Sequence, residues 1–525
     1  MDYDCVRYTA LPNTSKLFAD YVYHFDRVAR FYAGDPYNLE SFRRAAAAID
    51  FPEDRRSALA AALREQNAPG EALDRIAQPG TAAVLTGQQV GLFSGPCYTI
   101  YKALTAARLA RRLTEAGVPA VPVFWLATED HDFAEVNHAW VFNASNEPVR
   151  LAVEAPNGEH RPVGGIAIDA PPIEALRRAL EGLPFGEEVT ALVEEAYTPG
   201  ATMGAAFAKL LARLLAGEGM LFFDPMHPAS RRLAAPLLAE AARRGPELTA
   251  RVLERNRELT EAGYHVQVHV EPKTSFVFLL DGARRLTLRR DGNEYAANGR
   301  RFQAEELAAR AENLSPNALL RPVVQDSMFP TAAYVGGPAE LAYLSQSQVL
   351  YQTLLGRMPL AMPRQSATLL DARAGKLFER YDLSLADFFH GSGGVRERIA
   401  ARLVPAGLER EISDARTETG KLLDRLERAL AEFDPTLEAA FQKSRRKIDY
   451  QLAKTGRKAA REAFRRDERA TAAAAYLNGL VFPEKHLQER LYSILPFLAR
   501  HGLDLIGKLG DRLTLDCLDH RVLVV

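Results

Sequence analysis

Cysteine is scarce. The 525 residues carry three, Cys5, Cys97 and Cys517, odd in number and without CxxC spacing. That excludes a disulfide framework and a cysteine zinc site, and reduced thiols are expected. Long hydrophobic runs are also missing: no uninterrupted apolar stretch reaches the ~18 residues of a membrane span. Charge of one sign is absent too. Lys and Arg number 66 against 67 Asp and Glu, for a net charge of -1, so nothing draws the whole chain to nucleic acid or an anionic membrane. The opening Met1-Asp2-Tyr3-Asp4-Cys5 lacks the basic and apolar regions of a signal peptide. A cytoplasmic protein is expected. No internal repeat or low-complexity segment stands out. P-loop, GxGxxG, HExxH and DxDxDG patterns are missing, so no named nucleotide loop and no zinc or calcium site is indicated, and no metal ligands are nominated.

What is present suits a large α/β protein. At 47% hydrophobic and 25% charged residues the chain can bury a substantial core, and its length predicts two to four domains or large insertions. Residues 15–65 read as helices. Residues 81–127 read as strand, loop, helix and strand: an apolar run to Leu85, then Ile100, Leu104, Ala107 and Leu113 near one helical face, then Gly117 as a cap, then the uncharged Val121–Leu126. A right-handed crossover would make the two strands parallel. Residues 141–172 give only short strand-like pieces among prolines and glycines. Residues 174–262 return to helix, broken by a buried strand at Met220–Phe223. In 265–302 Val266, Val268 and Val270 alternate with polar residues, and Asp281-Gly282, Asp291-Gly292 and Asn298-Gly299 punctuate the runs that follow, which predicts a small antiparallel meander. Arg321–Asp326 and Ala332–Pro338 read as a return to the parallel sheet, and Ala339–Leu355 as a helix. Leu408, Ile412, Ala415, Thr419, Leu422, Leu426, Ala429 and Phe433 step by fours and threes as a heptad seam. Asp434-Pro435 starts a second helix, which predicts an antiparallel coiled coil. Its second helix is basic, with eleven Lys or Arg against four Asp or Glu from Lys443 to Arg469.

Three loops carry the candidate chemistry. The first has glycines at 87, 91 and 95 ahead of a helix near Tyr98, with Lys102 one turn in. A glycine loop feeding a helix amino end can hold an anion, with Thr86, Gly87, Gln88, Gln89, Gly95, Tyr98 and Thr99 as candidate contacts. The competing reading is a tight turn that needs glycine for backbone reasons. The second loop clusters Glu129, Asp130, His131 and Asp132 directly after a buried strand. Such groups cost desolvation unless they meet a ligand, a metal or each other. His131 and His138 could relay a proton, hold a phosphate oxygen or bind metal, although His138 taken alone reads better as local structure. The third loop, Gly336-Gly337-Pro338-Ala339-Glu340, repeats strand, glycine turn and helix, with Tyr343 and Gln346 further along. Arg321, Asp326 and Arg364 are candidates for a carboxylate or phosphate, with structural ion pairs equally open. Cys97 reads as a small buried residue rather than a nucleophile.

Taken together, TGQQVGLFSGPCYTIYKA, VFWLATEDHDFAEVNH, RPVVQDSMFPTAAYVGGPAELAYLSQ and MPRQSATLL resemble the BshC family, the cysteine-adding enzymes of bacillithiol synthesis. Phe433–Leu437, Phe482-Pro483-Glu484 and Leu487-Gln488-Glu489-Arg490 resemble it as well. Val90 stands where the family usually has proline, and Thr128 where it usually has glycine. The resemblance implies a Rossmann-like core similar to class I aminoacyl-tRNA synthetases and nucleotidyltransferases, connecting-peptide insertions, an antiparallel coiled coil and a homodimer formed through it. The implied division is core at 1–140, 211–262 and 316–385, insertions at 141–210 and 263–315, coiled coil at 386–475, and a segment at 476–525 packed on the core. The implied reaction joins the carboxyl of L-cysteine to the amine of glucosaminyl-malate.

Amide formation needs an activated acyl group, for which ATP, with Mg, is one candidate source. On this reading the 87–99 loop and Lys102 bind phosphate or carboxylate. Glu129, Asp130 and His131 orient the amine and move its proton, while Gly336, Gly337 and Glu340 close the opposite wall. Two other readings remain: a scaffold that docks partners through the coiled coil, and a basic coiled coil that grips tRNA, against which the net charge counts.

Overall fold

The computed structural model describes residues 2–154, 160–389 and 392–525. Part of the proline- and glycine-rich stretch at 141–172, and residues 390–391 of the expected coiled-coil region, therefore lie outside the described residues. The core is a parallel sheet of β1 (Ala82–Gln89), β2 (Ala120–Ala127), β3 (Leu221–Phe223), β4 (Thr331–Gly336) and β5 (Leu360–Pro363), in the spatial order β5-β4-β1-β2-β3. β1 and β2 carry no charged residue and are buried along nearly their whole length, as strands covered on both faces must be. α1 (Tyr98–Glu115) connects them. It buries Ile100, Leu104, Ala107 and Leu113, and Gly117 at φ +84° ends the turn that follows it. From β1 the chain winds outward to β2 and β3. It then returns to β4 on β1's other flank and continues to β5. The strand order thus reverses between β1 and β4, and a crevice opens outside the carboxyl ends at such a switch point.

Two segments differ from the sequence expectation. Arg321–Asp326 is not a strand: α2 spans Arg321–Met328. Asn317 Oδ1 accepts from the N–H groups of Leu319 and Leu320 just before it, and Pro322 sits in its first turn, a favoured helix start. Residues 322–328 are all buried, so the short apolar run shows neither period. Val266, Val268 and Val270 are not in a strand either, because the Gln346 side chain takes both the N–H and the C=O of Val268, each at 2.9 Å. The meander itself forms. Thr274–Asp281, Arg284–Asp291, Glu294–Ala297 and Arg300–Gln303 pair in sequence, and Leu314–Pro316 adds to the other side of the first. Its last turn, with Asn298 at φ +48° and Gly299 at φ +75°, has both central residues left-handed, which suits the twist of a tight hairpin.

The third glycine loop leads into α3 (Pro338–Leu354). The chain ends meet in a small sheet: His520–Val524 lies between Asp2–Val6 and Ala367–Leu370. There Cys5 Sγ and Cys517 Sγ, distant in sequence, come to 3.7 Å.

Beyond the core, α4 (Ala406–Phe433) and α5 (Pro435–Arg466) run antiparallel. Arg416 meets Asp449 at 2.8 Å, and Arg445 bridges to Asp424 and Glu427. Asp434 caps α5 by accepting from the Thr436 N–H. The seam follows the expected one at Ile412 and Thr419 and then shifts. Ile412, Thr419, Leu423 and Leu430 are half covered, whereas Leu408, Leu422 and Leu426 are exposed and Phe433 is 84% exposed. An ideal helix drifts against a strict heptad, and Glu427, held by Arg445 and Gln442, fixes the pairing face one residue along.

Candidate active site

A cleft of about 470 Å³ lies outside the carboxyl ends of β1, β2 and β4, and all three glycine or charge loops contribute to it. From the first come Gly87, Gln88, Gln89, Tyr98 and Lys102; from the second Glu129, Asp130 and His131; from the third Gly337, Glu340 and Tyr343. Arg321 and Arg364 complete the expected set. Gly87 is required by packing, since a Cβ there would stand 2.8 Å from the Trp125 carbonyl oxygen and 2.9 Å from its Cβ across the β1–β2 ladder.

One wall is a closed ion pair. Lys102, fully buried, donates to Glu340 at 2.6 Å, to Gln88 Oε1 at 3.2 Å and to the Gly87 carbonyl. Glu340 also accepts from the Gly337 N–H at 2.8 Å and the Tyr334 hydroxyl at 2.6 Å. Burial alone would raise the Glu340 carboxyl, but Lys102 and these donors hold it below its ordinary value. Burial lowers the Lys102 ammonium, opposed by Glu340. Above the pair, Arg321 donates to the hydroxyls of Tyr334 (3.1 Å) and Tyr343 (2.9 Å).

The opposite wall carries the acids. Asp130 accepts from Gln89 Nε2 at 2.7 Å and from the His131 N–H at 2.7 Å. Arg285 enters from the meander, flat over the Phe278 ring and 3.0 Å from His131 Nδ1. A guanidinium only donates, so Nδ1 accepts and the imidazole is neutral with its proton on Nε2. Burial first, and Arg285 second, lower its affinity for a further proton. Glu129 is buried, and neither carboxylate oxygen has a hydrogen-bond partner among the described residues. Burial pushes this carboxyl up to about 7, against Arg285, which favours the ionised form. A carboxylate poised near neutrality beside a cleft can accept a proton from a bound cationic amine.

At one end, Arg364 and Arg490 both lie over the Tyr98 ring, at 5.2 and 5.9 Å. Arg364 is buried and gripped by both oxygens of Glu489, at 2.9 and 2.7 Å, whereas the Arg490 side chain is exposed at the cleft. Glu489 also accepts from Ser366 Oγ, and Ser366 in turn meets His520 Nδ1 at 2.6 Å.

Seven expected residues stand elsewhere. Thr86 is buried within β1, donating its hydroxyl to the Val335 carbonyl of β4. The amino end of α1 is closed by protein. Cys97 N–H donates to the Tyr492 carbonyl at 2.7 Å and Thr99 N–H to that of Pro96, so Gly95 and Thr99 hold a turn, with Gly95 at φ +64°, and do not face the cleft. With Lys102 committed to Glu340, these residues do not form a polyphosphate cradle. His138 begins a peripheral strand, with Nδ1 on Asn137 Oδ1. Asp326 lies within the core against Tyr351, and Gln346 is spent on Val268 and Asn256. Gly336 ends β4, where a Cβ would press on Leu341 at 3.0 Å, and only its neighbour Gly337 lines the cleft. Cys97 is fully buried, and burial raises its thiol well above the ordinary range. Sequence reasoning missed Arg285, Trp125, Asn317 and Arg490. For Arg490 the motif Leu487–Arg490 was a usable signal.

Comparison with known proteins places the chain in a family. The family model for the N-terminal Rossmann-like domain of bacillithiol biosynthesis BshC matches residues 1–365, and that for its C-terminal coiled-coil domain matches 367–525. The chain belongs to the BshC family. A relative from Solibacter usitatus, named "Putative cysteine ligase BshC", is 58% identical over 99% of both chains. Relatives of the same name are 36% identical in Koribacter versatilis, over 99% of both chains, and 34% identical in Symbiobacterium thermophilum, over 95% of both. The cleft draws on both matched BshC regions, because Arg490 and the Glu489 that holds Arg364 belong to the second. Among the described residues no helix is long and apolar enough to cross a membrane.

Proposed function

We propose that the chain is a ligase of bacillithiol biosynthesis that joins the carboxyl of L-cysteine to the amine of glucosaminyl-malate. The observation that carries this reading is the polarity of the cleft. An unpartnered carboxylate, Glu129, lines it together with the guanidinium groups of Arg321, Arg364 and Arg490. The carboxylate suits an amine that must lose a proton before it attacks. The arginines suit carboxylates, including those of a malyl group. The neutral His131, with Nε2–H free of the Arg285 contact, and Asp130 orient the amine beside Glu129. Arg321 supports the charge that develops on the acyl oxygen at attack. Attack forms the C–N bond and breaks the bond from the cysteinyl carbon to its activating group.

Mass spectrometry of cysteine and glucosaminyl-malate incubated with the protein tests this, with ATP and with preformed cysteinyl adenylate in parallel. The expected product is the amide. Its absence with both donors would remove the ligase reading. The exposed stripe Leu408, Leu422, Leu426 and Phe433 supports pairing of a second copy along α4. Sedimentation should then give a dimer that Leu422→Glu with Leu426→Glu dissociates.

A further inference from the structure

Two residues that line the cleft carry buried groups with no partner among the described residues: the indole N–H of Trp125 and both carboxylate oxygens of Glu129. Buried polar groups are paired in most native structures, so each orphan asks for an explanation. These three atoms are not scattered. Trp125 lies near the carboxyl end of β2 and Glu129 in the loop that follows, and both residues line the 470 Å³ cleft and also a 20 Å³ cavity. The remaining wall of that small cavity is mostly apolar, with Leu238, Leu280, Leu314 and Met328.

The chemistry of the two orphans restricts what can satisfy them. An indole N–H only donates, and a carboxylate only accepts. A phosphate or carboxylate ligand could meet Trp125 but would be repelled by Glu129. An ammonium or guanidinium could meet Glu129 but has nothing to offer Trp125. A hydroxyl does both, and an ammonium beside a hydroxyl uses both carboxylate oxygens as well as the indole. We propose that Trp125 Nε1 and Glu129 form the subsite for the vicinal amine and hydroxyl of an amino sugar, and that Glu129 takes the proton its ammonium must lose. The hydroxyl accepts from Trp125 and donates to one Glu129 oxygen, while the ammonium donates to the other. Proton transfer turns –NH3+ and –COO− into –NH2 and –COOH, and only an N–H bond is broken. The raised proton affinity of Glu129 agrees with this role. This assignment rests on the function proposed above, because it places that reaction's nucleophile.

Calorimetric titration of the full-length protein with glucosaminyl-malate, glucosyl-malate and malate tests it. The wild type should prefer the amino sugar over glucosyl-malate by about tenfold or more, as for a hydrogen bond to a charged group. Glu129→Gln should abolish that preference while leaving malate affinity intact, which also shows a folded cleft. Trp125→Phe should weaken both sugar ligands about three- to tenfold and spare malate. An undiminished preference in Glu129→Gln, or sugar binding unchanged in Trp125→Phe, would mean that a buried water satisfies the pair, and the proposal falls while the ligase reading stands. If glucosaminyl-malate does not bind at all, the ligase reading fails, and free glucosamine then decides the subsite alone. Binding lost in Glu129→Gln supports it, and absent or variant-insensitive binding overturns it.

Discussion

Two ion pairs of almost equal length stand in different parts of this molecule. Arg364 meets Glu489 at 2.7 Å with both side chains at most 4% exposed, and Arg416 meets Asp449 at 2.8 Å with side chains 45% and 60% exposed. Distance does not separate them; environment does. The first joins the two matched regions of the chain and fixes an arginine that lines the cleft. The second links α4 to α5 in water, on helices where no residue is buried. The core fixes geometry at this point through a desolvated pair whose two members satisfy each other. In the coiled coil, charges and apolar side chains remain available to another molecule.

The sharpest break of this contrast is Glu489→Ala. It strands a buried guanidinium, and stability should fall by about 3–5 kcal/mol in urea unfolding. It should also weaken binding of an anionic substrate at Arg364. A loss under 1 kcal/mol would show that burial does not set the value of this pair.

Next in size are two pH effects of opposite sign. Burial depresses His520, held between Ser366 and Thr368 hydroxyls, from 6.5 to about 4. Its folded value lies below its unfolded one, so its contribution is complete above pH 6.5 and is lost as pH falls toward 4, about 3 kcal/mol in all. His520→Asn should flatten that acid limb. Glu129 is raised from 4.5 to about 7, so the fold favours its protonated form and stability declines as pH rises from 4.5 through 7. Glu129→Gln should therefore stabilise the protein by up to about 3 kcal/mol at pH 8 and by nothing at pH 4. At pH 8 the same variant should lose product formation. Equal unfolding midpoints for Glu129→Gln and wild type at pH 8 would contradict a desolvated carboxylate.

The same contrast explains what could be read from the residues. β1, α1 and β2 were legible because their buried faces impose a continuous apolar run and a helical period, and the loops they place converge as expected. Arg321–Asp326 was not, because a helix buried on all sides has no period to show. Arg285 was hidden for another reason. It lies 156 residues beyond Glu129 among Arg284, Arg289 and Arg290, and only its stacking on Phe278 and its contact with His131 distinguish it. The glycines at 91 and 95 mark a turn, but the residue that closes the helix end behind it, Tyr492 through its carbonyl, comes from the far end of the chain. In the coiled coil the apolar positions were visible, and Ile412 and Thr419 of the expected stripe are half covered, but beyond them the covered face moves to Leu423 and Leu430 and leaves Leu422, Leu426 and Phe433 exposed.

The smallest expected effect is Asp449→Ala. An exposed pair gains little Coulomb energy in water and must hold two long side chains still, so its loss should change stability by about 0–1 kcal/mol, shrinking further in 0.5 M salt. Urea unfolding of the variant beside Glu489→Ala, at low and high salt, measures this. If the coiled coil packs against a second copy, the Arg416–Asp449 pair could become desolvated there, and the cost would grow with protein concentration. A concentration-dependent loss of 2 kcal/mol or more would place this pair inside an interface. A small constant loss would leave it on the solvated side and confine any contact to the stripe through Leu422 and Leu426.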